Sequence, residues 1–197
     1  MTIKICVVYH SGYGHTLRIA QSVSAGAESV SGTSSVLIAV TDLHDDSPLW
    51  DELDAAHAII FGSPTYMGNV SAEMKRFMEA TSGRWLEMKW ADKLAAGFTN
   101  SGSQNGDKQN TLISIITFAA QHGMVWINLN QLPGNNHSGG STADDNRLGA
   151  SLGAMAQSNV DEGPETAPLP SDLNTAAKLG ERVARCAARW NQTSNSE

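Results

Sequence analysis

The chain has 197 residues, 41% hydrophobic and 17% charged, with a formal net charge of −7. That length suits one domain with a sizeable buried core. The acidic balance argues against a nucleic-acid partner, which calls for a basic surface, and no apolar run reaches the length of a membrane span.

The apolar run Ile5 to Tyr9 predicts a buried first strand. It is too short for the apolar region of a signal peptide. Cys6 in this strand and Cys186 in the last helix lie far apart and read as reduced thiols, consistent with the cytoplasm. The strand ends in Ser11-Gly12-Tyr13-Gly14-His15-Thr16, which feeds a helix with apolar positions at Leu17, Ala20, Val23, Ala27 and Val30. The free N–H groups of a first helical turn favour an anion above the strand end, most often a phosphate. No Gly-x-x-x-x-Gly-Lys-Ser/Thr loop is present, and Leu17 stands where a dinucleotide fingerprint has its third glycine. Ser11 and Thr16 supply hydroxyls, His15 an imidazole, and the loop carries no lysine or arginine before Arg18. That set suits a phosphate monoester held by neutral donors; an ordinary glycine-bearing β–α turn is the alternative.

Ser35 to Val40 predicts strand two, and Pro48 to Ala56 a short helix. Ala58 to Phe61 predicts strand three, ended by Gly62-Ser63-Pro64. Ser71 is placed to cap a helix that buries Met74, Phe77 and Met78. Lys93 to Thr99 predicts strand four, followed by a helix with Leu112, Ile115, Ile116 and Ala119 on one stripe. Met124 to Leu129 predicts strand five. Ser171 or Asp172 caps a final helix carrying Leu173, Ala176, Ala177, Val183, Ala184 and Ala187. A short polar tail, Thr193 to Glu197, closes the chain.

Strands alternating with helices imply an α/β fold: a doubly wound sheet of five parallel strands, order 2-1-3-4-5, with helices on both faces. Residues 1–197 then form a single domain. About 130–170 is a long insertion rich in Gly, Asn, Ser and Pro, read either as a solvated excursion or as a lid or oligomer contact; within it Asn146 to Gln157 could form a short helix. Ligands in such sheets sit outside the carboxyl ends of the strands. Three uncharged, glycine-bearing loops converge there: Ser11 to Thr16, then Pro64, Thr65, Tyr66, Met67 and Gly68, then Asn100, Ser101, Gly102, Ser103, Gln104 and Asn105. Neutral donors and acceptors with flat apolar cover suit an isoalloxazine ring.

The motifs Ser11-Gly12-Tyr13-Gly14-His15, Ile59-Ile60-Phe61-Gly62-Ser63-Pro64-Thr65 with Gly68-Asn69, and His122-Gly123-Met124 resemble the WrbA-like NAD(P)H:quinone oxidoreductases, flavodoxin-like FMN proteins. Thr81-Ser82-Gly83-x-Trp85 extends the match. The resemblance implies FMN, its phosphate on Ser11 to Thr16 and its ring against Pro64 to Gly68 and Asn100 to Asn105. NADH or NADPH would be the electron donor. Tyr13 and Trp85 match positions where nicotinamide or quinone stacks. Either Gln121 or His122 would contact the flavin. The resemblance also implies a homo-oligomer, dimer or tetramer, with sites completed by neighbouring subunits. The alternative function is a flavodoxin-type electron carrier or a non-catalytic flavin-binding protein. The chain departs from the family pattern at Tyr66-Met67, at Ser101 to Asn105, at Gln121, in a shortened segment between strands two and three, and at Asp161-Glu162-Gly163-Pro164-Glu165.

Overall fold

A computed structural model describes residues 2–193; the polar tail expected beyond Thr193 lies outside them. Strand β1 (Ile3–Tyr9) leads into helix α1 (His15–Glu28), β2 (Thr33–Ala39) and α2 (Leu49–Asp54). Strand β3 (Ala58–Tyr66) is followed by the short β4 (Asn69–Val70), α3 (Ala72–Ala80) and α4 (Ser82–Leu86). Then come β5 (Leu94–Ser101), α5 (Lys108–Gln121), β6 (Val125–Trp126), β7 (Ala154–Gln157) and α6 (Pro170–Thr193).

The parallel sheet runs β2-β1-β3-β5, and both β6 and β7 occupy the fifth position beside β5. This is the expected 2-1-3-4-5 order with its last strand in two pieces. Val125 and Trp126 pair with Leu94 and Ala95, while Ala154 to Gln157 pair with Phe98 to Ser101. Only the first part of the strand expected over Met124 to Leu129 therefore forms, and the chain leaves the sheet until residue 154.

Successive residues of the central strands face opposite layers, as period-two geometry requires. Ile5, Val7 and Ile60 pack with Ile19, Val23, Leu179 and Val183 of α1 and α6. Cys6, Val8 and Phe61 pack with Met74, Phe77, Leu112 and Phe118 of α3 and α5. Helices α1 and α6 touch backbone to backbone: a Cβ on Gly26 would lie 1.8 Å from the Ala177 carbonyl oxygen, and one on Gly180 1.9 Å from that of Val23. Ser71 caps α3 as expected, its Oγ accepting from the Met74 N–H at 3.3 Å.

Three expectations need correction. Strands β3 and β5 extend beyond their predicted ends, because Ser63 and Pro64 pair with Thr99 and Asn100. The helix expected over Asn146 to Gln157 is absent. Instead the Asn146 side chain bonds Gln131 O, Ala150 O and Ala150 N, fixing a turn that delivers β7. Neither Ser171 nor Asp172 caps α6: Pro170 opens the helix, the Ser171 hydroxyl donates to Thr142 O, and the Asp172 carboxylate binds Arg147.

Candidate cofactor site

A cavity of about 640 Å³ opens at the carboxyl ends of β1, β3, β5 and β7. The first loop contributes Gly12, Tyr13, His15 and Thr16 to its wall. Gly14 caps α1 in the left-handed region, at φ 89°. Ser11 Oγ accepts from the Leu17 N–H at 3.1 Å, and the Arg18 N–H closes the first helical bond to Gly14 O. The N–H groups of His15 and Thr16 precede that bond and have no intrahelical acceptor. Thr16 is only 2% exposed, lines the cavity, and its hydroxyl has no hydrogen-bond partner among the described residues. The start of α1 thus presents neutral donors and the positive end of a helix dipole to the cavity.

The extension of β3 brings Pro64, Thr65 and Tyr66 to the wall. The Thr65 hydroxyl is committed inward, 2.8 Å from those of both Thr99 and Thr111. Tyr66 meets Tyr13 edge to face, with centroids 6.5 Å apart and planes at 74°. Burial first, and the neighbouring Tyr13 second, push the Tyr66 phenol above its ordinary pKa. Met67 and Gly68 take positive φ values of 47° and 78° at the tip of a two-residue hairpin joining β3 to β4. Met67 is fully exposed there, so neither it nor Gly68 reaches the wall.

Asn100, Ser101 and Gly102 supply the third side. Ser103 and Gln104 instead turn their carbonyls onto the ammonium of Lys108. Gln104 and Asn105 line a separate cavity beside Arg147 and Met155.

The fourth side is the part of the long insertion after β7: Ser158, Asn159, Val160, Glu162 and Gly163. It is stitched to the rest of the site. Ser158 Oγ donates to Asn100 Oδ1 at 3.1 Å, and Gln157 Nε2 to Gly102 O at 2.9 Å. His15 Nε2 donates to Glu162 O at 2.8 Å, and Arg18 Nη1 to Pro164 O at 3.0 Å. The sequence reads equally as a solvated excursion or as a lid or oligomer contact here, and it marks Asp161 to Glu165 only as a departure from the family pattern.

Trp85 and His122 lie elsewhere. Trp85 belongs to α4, between α3 and β5, and His122 ends α5 just before β6. Both are at the amino ends of the strands. A seven- to nine-residue strand, at ~3.3 Å per residue, separates them from the cavity by roughly 20–30 Å. Neither can touch its contents within one chain. His122 is buried against Trp90, ring centroids 4.7 Å apart, and shares a 2.9 Å hydrogen bond with Thr81 Oγ1. Trp85 is half exposed beside Arg84, which binds Asp54 at 3.0 Å.

Comparison with known proteins places this architecture. The family described as NADPH-dependent FMN reductase matches residues 20–138. Flavodoxin FldP of Pseudomonas aeruginosa is 46% identical over 182 residues, covering 92% of this chain and 95% of that protein. An NAD(P)H dehydrogenase (quinone) of Geobacter sulfurreducens is 32% identical over 209 residues, covering 96% and 100%. Among solved structures, a flavodoxin, WrbA-like protein from Agrobacterium tumefaciens superimposes with a TM-score of 0.72 at 40% identity, covering 95% of this chain and 99% of that one.

Proposed function

We infer the function from family and cavity together: the chain belongs to the WrbA-like family of flavodoxin-fold FMN proteins, and FMN is its cofactor. Our reading is that it is an FMN-dependent oxidoreductase carrying two electrons from NADH or NADPH to a quinone or similar small acceptor.

The residues present fit FMN. The Thr16 hydroxyl, without a partner at the cavity wall, and the open N–H groups of His15 and Thr16 suit a phosphate monoester. In this reading Ser11 acts indirectly, by holding the loop, and Gly14 gives the chain its turn into α1. Tyr66, Pro64 and the Asn100–Gly102 edge would bound the ring, with Met67 and Gly68 outside it.

Bound FMN supplies the hydride and electron chemistry, so no acid–base pair of side chains is required. The protein's part is to bind, orient and leave one side reachable. Tyr13, 78% exposed, and Val160, 91% exposed, stand at the cavity mouth rather than over it. That open, apolar-edged mouth is the observation favouring an enzyme over a carrier, because a second flat ring has room to stack. The electron-carrier reading draws on the likeness to a protein named flavodoxin. Steady-state oxidation of NADH and of NADPH by the purified holoprotein with a benzoquinone acceptor separates the two. Turnover with quinone is expected; flavin reduced only by a protein partner would favour the carrier.

Sites shared between copies would reconcile Trp85 with the family pattern. In this reading the chain forms a homo-oligomer, and a neighbour's Trp85 approaches the mouth that its own chain cannot reach.

A further inference from the structure

Lys108 opens α5 immediately behind the third wall of the cavity and is 1% exposed. Its ammonium donates to Ser101 Oγ at 2.7 Å, Ser103 O at 2.9 Å and Gln104 O at 2.7 Å. An ammonium has three hydrogens, and here each has an acceptor. All three acceptors belong to one loop, and Ser101 also lines the cavity. The charge therefore stands one residue behind the cavity wall. Asp172 of α6 and Arg147 of the insertion are the charged groups acting on it. They bind each other through paired contacts of 2.9 and 2.7 Å. One buried positive charge is left unbalanced.

We propose that Lys108 is a positioning residue for the flavin: it holds the Ser101–Gln104 loop in the shape that receives the ring, and its buried charge favours reduced, electron-rich flavin over oxidised. This rests on the FMN assignment and not on the choice of donor or acceptor. At an effective dielectric of ~20, a unit charge shifts such an equilibrium about tenfold from roughly 12 Å away. Burial lowers the pKa of this lysine to about 8, with Asp172 opposing that shift and Arg147 adding to it. The negative charge of bound FMN, on its phosphate in the oxidised state and also on the ring when reduced, pulls the value back up. By linkage, FMN affinity must then fall as pH rises through about 8. Tyr66, whose phenol is raised, stays protonated over that window.

Apoprotein titrated with FMN between about pH 7 and 9.5, following flavin fluorescence, reads the first effect. Equilibration of the holoprotein with a reference dye reads the flavin's two-electron potential. The wild type should lose FMN affinity several-fold across the window, and Lys108→Met should show weaker binding with no such slope. Its reduced-to-oxidised affinity ratio should drop about tenfold, which is a potential more negative by about 30 mV. Ser101→Ala removes one acceptor but keeps the charge, so it should weaken FMN while leaving the potential close to wild type. A purely structural lysine would lower stability and occupancy without moving the potential. A flat wild-type pH profile overturns the proposal even if Lys108→Met does not fold, and so does an unchanged potential in Lys108→Met. A wild type that binds FMN but does not oxidise NAD(P)H would defeat the proposed enzyme activity and leave this inference standing.

Discussion

His15 Nε2 donates to the carbonyl oxygen of Glu162 at 2.8 Å, tying the first residue of α1 to a segment 147 positions further on. A carbonyl only accepts, so Nε2 carries the hydrogen. Arg18 adds a second tie to Pro164. Two residues of α1 thus hold down the fourth wall of the cavity. His15→Ala should release that wall while leaving the helix donors in place. One neutral hydrogen bond contributes about 0.5–1.5 kcal/mol, so FMN should dissociate about two- to tenfold faster. Stopped-flow release of FMN checks this; an unchanged rate would show that the segment does not retain the cofactor.

Thr16→Glu tests the loop itself. The substitution puts a carboxylate where an unpartnered hydroxyl lines the cavity. A carboxylate would repel a phosphate dianion and cannot donate to it. Purified variant should carry no stoichiometric flavin, and apoprotein should not quench added FMN. Released cofactor from the wild type should comigrate with FMN. Undiminished flavin in Thr16→Glu would remove this loop from the site.

The Arg147–Asp172 pair should be the most costly of the ion pairs to break. Both side chains are 5% exposed or less, and Asp172 Oδ2 also accepts from the Gln157 N–H at 3.0 Å, which anchors β7. Asp172→Ala strands a buried guanidinium, a loss of about 3–5 kcal/mol. At about 2–4 °C per kcal/mol for a chain of this size, the melting temperature should drop by roughly 6–20 °C. Ser171→Ala removes a single hydrogen bond to Thr142 and should cost about 1 kcal/mol. Equal melting temperatures for the two variants would show the pair to be dispensable.

The sheet order and three of the four cavity walls were legible because they depend on local pattern. Apolar runs at Ile5–Tyr9 and Ala58–Phe61 announce strands, and Gly-bearing loops after them announce the site end. What escaped depends on distance in sequence. Ala154 to Gln157 is four residues long, too short to stand out, and becomes a strand only because Phe98 to Ser101 offers it a free edge. Lys108 looks like a solvated lysine until its three acceptors fold over it. Trp85 and His122 matched a family motif in one dimension, but a strand's length separates them from the cavity in three.

His122 should titrate below an ordinary histidine. Thr81 spends its hydroxyl hydrogen on Met78 O at 2.7 Å, so His122 Nε2 must donate to Thr81, leaving Nδ1 bare and buried without a partner. Protonation would bury a charged N–H against Trp90 and Phe118, and burial accordingly lowers the pKa. His10 and His57 are lowered by burial as well. The unfolded chain then takes up protons first as pH falls below about 6.5, so folding stability present above that pH is lost on acidification. Melting temperatures of the apoprotein should decline from pH 7.5 to 5.5. NMR should find the neutral His122 ring as the Nε2–H tautomer, with its titration displaced below the ordinary histidine value. A His122 resonance titrating near 6.5 would mean that the ring is not held as described.

Trp85 supplies the sharpest test of assembly. It is half exposed beside Leu86 and Met88, both also exposed, at the end of the sheet away from its own cavity. If copies associate so that one chain's Trp85 borders another's site, Trp85→Ala should raise KM for donor or acceptor. Stacking on a flat ring contributes about 0.5–1.5 kcal/mol beyond burial, which is about two- to tenfold in KM. Flavin content should not change, because Trp85 lies outside the cavity proposed to hold FMN. The wild type should moreover show a KM that depends on protein concentration near its dissociation midpoint, and the variant should not. Light scattering on the same samples gives the size of the particle at each concentration. A 20.9 kDa species with full activity at every concentration would confine Trp85 to the surface of a monomer, and its replacement should then leave KM untouched.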